Sequence, residues 1–176
     1  MAVIHCNTNE LKKIAGTIHA GDRIILSGTV YTSRDAAHKR IFELMKAGKP
    51  LPYALEGAVI YYAGPTPTPE GLAIGSCGPT TSGRMDVYTP TLLDLGVAAT
   101  IGKGKRSPEV CDAIIRNHSV YLCAVGGAGA LACEHITACE VIGFEDLGCE
   151  SVKRLEFSDF PLIAAIDCSG GNLFNK

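Results

Sequence analysis

The sequence has no tryptophan, and its aromatic content is only 6%. A base-stacking platform for single-stranded nucleic acid is therefore not expected. It also lacks an excess of either charge. The 16 Lys and Arg stand against 18 Asp and Glu, a formal net charge of −2, which gives no electrostatic reason for nucleic acid or an anionic membrane as partner. No apolar run approaches the ~18 residues of a membrane span. The opening "MAVIHCNTNELKKIAG" has no basic region followed by an apolar stretch, so a secretory leader is not expected either. The expected location is the cytoplasm. Cys-x-x-Cys pairs are missing among Cys6, Cys77, Cys111, Cys123, Cys133, Cys139, Cys149 and Cys168. This argues against a zinc or self-contained iron–sulfur site and predicts no metal ligands in this chain. Several cysteines lie in apolar runs, as in "VYLCAVG" and "AAIDCSG", and are expected to be reduced thiols packed as small hydrophobes.

What is present is a chain of 176 residues, 47% apolar and 19% charged, read as one globular domain over 1–176. "DRIILSGTVYT" predicts a strand, after which Ser33 is expected to cap a helix running to about Ala47, with Gly48 as the stop. "AVIYYAG", "LAIGSCG", "VAATIG", "SVYLCAVG" and "ACEVIGF" also read as strands, and "VKRLEFSDFPLIAAIDCSGGN" as one or two more. A helix is expected within 82–95 with Pro90 near the start of its second part, another from Ser107-Pro108-Glu109 to about Asn117, and a short buried one at "AGALACEH". Strands alternating with helices predict an α/β or mixed-sheet layered domain.

Three loops carry chemistry. In "GPTTSGR", Gly78 and Gly83 permit backbone shapes that aim N–H groups at a concave surface. Thr81 or Ser82 is a candidate helix cap, and Thr80 and Arg84 add a hydroxyl and a planar cation that binds carboxylates two-handed. An ordinary capped turn explains that loop equally well. "SGTVYTSRDAAHKR" places Arg34 at a helix entrance, where a cation opposes the helix dipole, so an anionic ligand would explain it. Asp35 follows, and His38 lies one turn on; a structural hydrogen bond to Asp35 or backbone is the plainer reading of that histidine. "TIGKGKRSPE" puts Lys103 between two glycines after a strand, where its ammonium could point into a cleft; Lys105 and Arg106 extend the charge, with plain solvation as the blander reading. Arg34, Thr80, Arg84 and Lys103 all follow predicted strands, where ligands of α/β proteins gather. Their convergence would suit a small dianion. "GAGALA" fits the outline G-x-G-x-x-A of a dinucleotide fingerprint, with Asp146 near the acidic position, but the match is weak.

Taken together, "SGTVYTSRDAAHKR", "GPTTSGRMD", "IGKGKRS", "VGGAGAL" and "DFPLIAAIDCSGGNL" resemble the β subunit, or C-terminal domain, of the iron–sulfur fumarate hydratases and tartrate dehydratases, over about Asp22 to Leu173. The pairing of "GPTTSGRMD" with "GKGKRS" is closer to the fumarate type. The resemblance implies a swivelling β/β/α layered domain with a mixed sheet. It implies an α subunit that carries a [4Fe–4S] cluster, whose open iron acts as a Lewis acid on the leaving hydroxyl. It also implies a hetero-oligomer, or a homodimer when the chain is alone. By matching motifs, Arg34, Thr80, Arg84 and Lys103 would contact malate or fumarate, Thr80 and Lys103 would act catalytically, and Asp35, His38, Ser82 and Gly83 would support them. Tartrate dehydration, a non-catalytic anion-binding module and a nucleotide-binding protein are the alternatives.

Overall fold

The computed structural model describes residues 1–175. The strands are β1 (Val3–Asn7), β2 (Arg23–Thr32), β3 (Val59–Tyr61), β4 (Ala99–Gly102), β5 (Val120–Cys123), β6 (Ile136–Gly143) and β7 (Val152–Ile166). The helices are α1 (Leu11–Ile14), α2 (Asp35–Lys46), α3 (Thr89–Asp94), α4 (Pro108–Arg116) and α5 (Gly129–Glu134). Strands β1 to β5 pair in parallel, in sequence order. β7 runs antiparallel to β2 along one edge and to β5 along the other, which closes β2-β3-β4-β5-β7 into a five-stranded barrel. β1 and β6 continue the sheet beyond the ring. The architecture is mixed α/β with a mixed sheet, but the sheet closes on itself.

Alternation along the strands explains the closure. Val59 and Tyr61 of β3, Ile101 of β4, Val120 and Leu122 of β5 and Leu26 and Val30 of β2 share one buried cluster with Leu155, Phe157, Phe160 and Leu162 of β7. Their immediate neighbours Ile60 and Tyr121 instead join a second cluster with Ala37 and Ile41 of α2, Leu92 and Leu93 of α3, and Val110 and Ile114 of α4. The period of two therefore divides each central strand between a barrel interior and a helical outer layer. β7 keeps its interior face through a local irregularity: the inward residues are Leu155 and Phe157 before it, then Phe160, Leu162 and Ala164 after it. Asp159 absorbs the odd residue at φ +50°, opposite the register shift between Leu26 and Gly28 of β2. Phe157 and Phe160 then stack at 4.1 Å between ring centres, each edge-on to Tyr61.

Several sequence expectations change. Residues 72–78, expected as a strand, form irregular loop, because their backbone bonds go to Pro69, to Thr66 and to the turn at Gly129 instead of a ladder. The N-cap of α2 is Arg34, not Ser33; Ser33 Oγ is buried with no hydrogen-bond partner. α5 is only partly buried: Gly129 is enclosed, Ala132 and Cys133 pack against the core, and Ala130, Leu131 and Glu134 are exposed. Of the cysteines, Cys6, Cys77 and Cys168 are buried, four are half-buried and Cys149 is exposed, because its turn, Glu145–Glu150, lies on the surface. α4 starts as expected, with Ser107 Oγ accepting from Val110 N at 3.4 Å. β1 and α1 were not foreseen. Leu122→Ala, which empties part of the barrel interior, should cost ~2–5 kcal/mol in urea unfolding, whereas Ile163→Ala on the outward face of β7 should cost well under half of that. Equal losses would contradict the assignment of the two faces.

Candidate functional site

The parallel order of β2 to β5 brings their C-terminal ends to one rim. Thr32 is level with Tyr61, Tyr61 with Ile101, and Gly102 with Cys123. Arg34 leaves β2 two residues past its end. The loop Pro79–Met85 then lies across the next two strand ends: Pro79 bridges to Ala63, and Thr80 N donates to Tyr62 O at 2.6 Å. Thr81 forms a parallel bridge with Lys103, just past β4. Ser82 N donates to Lys103 O at 2.9 Å, and Lys103 N donates to Ser82 Oγ at 3.0 Å. Arg84 pairs with Asp35 at 3.2 Å, and Arg34 pairs with Glu150 at 3.4 Å. One continuous chain of contacts therefore joins Lys103, the Thr80–Arg84 loop, Asp35 and Arg34. Arg34, Thr80, Arg84 and Lys103 lie on the same rim.

Two glycines make room. A Cβ on Gly64 would strike Arg34 Nη1, and a Cβ on Gly102 would strike Ser82 Oγ. Gly78 and Gly83 have no positive φ, so their expected role as sources of unusual backbone is not what the loop uses. Neither Thr81 nor Ser82 caps a helix with its side chain. The segment after Thr81 is the 3-10 turn Ser82–Met85, and the Ser82 hydroxyl is spent on Lys103 N and on Tyr121 OH at 2.8 Å. Lys103 and Arg84 are exposed, Thr80 is half-buried, and the Arg34 side chain is 22% exposed with its Nε buried and unpartnered.

His38 is fully buried. It stacks on Tyr88 and meets Tyr62 edge-on. Its Nδ1 lies 2.9 Å from Arg34 O, which can only accept, so Nδ1 carries the proton and Nε2 is left as a buried lone pair. The expected structural hydrogen bond to backbone is the one found. Burial holds the His38 pKa down at about 4, with the hydrogen bond to Arg34 O pulling weakly the other way. Burial likewise pushes the Cys77 thiol up to about 12 and the Cys6 thiol up to about 11, which leaves both unreactive. Among the described residues no three His, Cys, Asp or Glu side chains are grouped to hold a metal ion. The "GAGALA" turn is filled by its own protein: a Cβ on Gly129 would come within 2.5 Å of Ser76 Oγ. Asp146 is spent on Arg40 at the surface.

Arg106 is the main correction. Expected in solvent, its side chain is wholly buried behind the rim. Nε donates to Asp86 Oδ1 at 2.7 Å, Nη1 to Thr100 Oγ1 at 3.1 Å, and Nη2 to Thr89 Oγ1 at 2.7 Å. Its guanidinium lies over the rings of Tyr62 and Tyr121 at 5.3 and 4.7 Å. Asp86 Oδ2 accepts from Ser107 N at 2.6 Å, and Tyr121 OH donates to Gly104 O at 2.9 Å. The loops bearing Arg84 and Lys103 are thus fastened to one buried cation. The spacing of "GRMD" and "GKGKRS" was visible in the sequence, but only the partner Asp86 reveals why Arg106 stands there. Glu150 and Gly64 were also missed; they come from segments distant in sequence.

Arg106→Ala leaves Asp86 without its cation and should cost ~3–5 kcal/mol, read as a lower urea midpoint; a loss below ~1 kcal/mol would contradict the role given to it. His38 produces a pH effect of known sign. The unfolded chain binds the proton near pH 6.5 and the folded chain only near 4, so its contribution is complete above 6.5 and is lost as pH falls towards 4. A His38→Gln variant that keeps its fold should lose less stability than wild type over that interval, and an identical pH profile would contradict this.

A family described as "Fumarase C-terminus" matches residues 1–176. The chain is 42% identical over 158 residues to "Fumarate hydratase 2" of Leishmania major, a match covering 89% of this chain and 28% of that protein. It is 40% identical to "Fumarate hydratase class I, anaerobic" of Escherichia coli strain K12, covering 88% and 28% respectively. It is 34% identical to "L(+)-tartrate dehydratase subunit beta" of the same bacterium, covering 89% of this chain and 79% of that one. The chain thus spans little more than a quarter of the fumarate hydratases it matches but most of the tartrate dehydratase subunit. It belongs to the fumarase C-terminus family.

Proposed function

We propose that this member of the fumarase C-terminus family is the β subunit of a two-subunit iron–sulfur hydro-lyase and supplies the carboxylate-binding half of a site that interconverts malate and fumarate. The observation that carries the reading is the single rim holding Arg34, Thr80, Arg84 and Lys103 at the ends of parallel strands. Its tethering by Arg106 supports fixed donors, whose value in catalysis is that they need no rearrangement as charge develops. Residues 1–176 act as one domain of the swivelling β/β/α type, in the cytoplasm; no helix among the described residues is long and apolar enough to cross a membrane.

In this reading Arg34 and Arg84 each receive one substrate carboxylate in a planar fork. Removing the proton next to a carboxylate spreads negative charge onto that carboxylate, where Arg84 and Lys103 stabilise it more strongly than in the ground state. The Thr80 hydroxyl assists the proton transfer, and the principal base belongs to the partner. Ser82 and Gly83 shape the loop, while His38 acts on Arg34 through its backbone carbonyl. A [4Fe–4S] cluster on the α subunit would supply Lewis acidity to the leaving hydroxyl. An exposed site needs a cover. Leu72, Val87, Val125 and Leu131, all in connections that leave the rim ends of β3 and β5, are 56–77% exposed and supply an apolar border for an α subunit.

The test is anaerobic co-expression with a cysteine-rich larger subunit, followed by ultraviolet assay of fumarate formed from malate. A pair that assembles, carries its cluster and turns over neither malate nor tartrate would refute the proposal. Tartrate dehydration is the second reading, favoured by the match over most of a relative named as a tartrate dehydratase β subunit; side-by-side turnover of the two substrates separates them. Arg84→Lys should lower kcat/KM by about 10²-fold or more, because a point charge cannot replace the fork. A change within about threefold would remove Arg84 from the carboxylate seat.

A further inference from the structure

The six arginine–carboxylate pairs among the described residues are of two kinds. In four, the guanidinium donates a hydrogen bond at 2.5–2.9 Å: Arg40 to Asp146, Arg106 to Asp86, Arg116 to Asp94 and Arg154 to Glu140. In the other two, Arg34–Glu150 at 3.4 Å and Arg84–Asp35 at 3.2 Å, the groups are close but lack hydrogen-bond geometry. Both loose pairs belong to the rim. Surface position alone does not explain this, since Arg116–Asp94 and Arg154–Glu140 are about as exposed as Arg84–Asp35 and are well formed.

The two loose carboxylates differ from each other. Glu150 is anchored: its Oε2 accepts from Ala36 N at 3.2 Å, and Lys153 Nζ holds the neighbouring carbonyls of Cys149 and Ser151. Asp35 is not anchored. It opens α2, it is 43% exposed, and no hydrogen bond to its carboxylate is present among the described residues. When it leaves Arg84 it remains in the first turn of a 12-residue helix, where the dipole favours a negative charge. Leaving therefore costs little.

We propose that Asp35 is an exchangeable internal counterion: it occupies Arg84 while the site is empty and yields it to an incoming ligand carboxylate. The ligand gains a two-handed, charge-assisted contact that Asp35 does not make. The exchange also sets selectivity. With Asp35 on Arg84 and Glu150 on Arg34, Lys103 is the one rim cation among these three without an ion-pair partner, so an empty site attracts stray monoanions weakly. A short diacid, which brings a carboxylate for each arginine, overcomes the competition. This inference rests on the rim being a dicarboxylate seat.

The experiment compares wild type with Asp35→Asn, and with Asp146→Asn as a charge-matched control on an arginine of the same helix, each in the complete two-subunit enzyme at low ionic strength. Calorimetric titration with succinate and KM for malate are both measured. Asp35→Asn should tighten succinate and lower KM by ~2- to 5-fold, the range of an exposed ion pair, with kcat not raised in proportion. Asp146→Asn should leave both unchanged. A raised KM in Asp35→Asn would mean that Asp35 orients Arg84, and equal effects of both variants would mean that only net charge matters; either overturns the inference while the dicarboxylate seat stands. A wild type that binds no dicarboxylate removes the seat and the inference together.

Discussion

A single buried guanidinium organises the end of this barrel at which four loops meet. Arg106 has no exposed side-chain surface and reaches a carboxylate, two threonine hydroxyls and two tyrosine rings. A cation removed from water in this way is tolerated only because its donors are met and its charge is balanced by Asp86. That necessity fixes where Asp86 can be, and Asp86 lies two residues beyond Arg84. Asp86 also takes Ser107 N, so the start of α4 is set by the same carboxylate. Arg84 and Lys103 are exposed and long; their roots are placed by a group that neither of them touches.

The division of labour between the two arginine types follows from solvent access. Arg106 is enclosed and fully satisfied, and is there to hold. Arg34 and Arg84 are partly open and incompletely satisfied, which leaves both with unused donors. His38 belongs with the first group: its ring is held neutral by burial and donates to the carbonyl of Arg34. The rim thus places adaptable side chains on inflexible backbone, which is how loops deliver precision to a ligand.

The order and type of most elements were legible in the sequence, because strands rich in β-branched residues alternate with capped helices; Ser107-Pro108-Glu109 located α4 to within a residue. Arg34 and Lys103 were legible as rim residues for a related reason: each follows a strand, and parallel pairing brings such positions to one edge; Thr80 and Arg84 reach the same rim on a loop, through the bridges of Pro79 to Ala63 and of Thr81 to Lys103, and not at the end of the strand expected before them. Closure was not legible. It depends on β7 pairing with both β2, more than a hundred residues earlier, and β5, about forty residues earlier, contacts invisible to local pattern. Distance in sequence likewise concealed Glu150 behind Arg34, and the separate loops of Asp86 and Arg106, 20 residues apart, concealed that pair. "LAIGSCG" misled because small apolar residues suit a packed loop as well as a strand, and "SR" misled because a serine before a helix is usually its cap, whereas here Glu150 supplies the carboxylate to Ala36 N.

The strand that seals the ring is the last of the seven among the described residues. Arg23 pairs with Ile163, and Tyr121 with Ile166. During synthesis β2 to β5 leave the ribosome as an open sheet whose oily inner surface has no lid, and Leu26, Val30, Tyr61 and Leu122 wait for Leu155 to Leu162 to arrive. Nascent chains stalled before that segment are candidates for chaperone capture and self-association, and closure by so distant a strand belongs to the slow class of folding events.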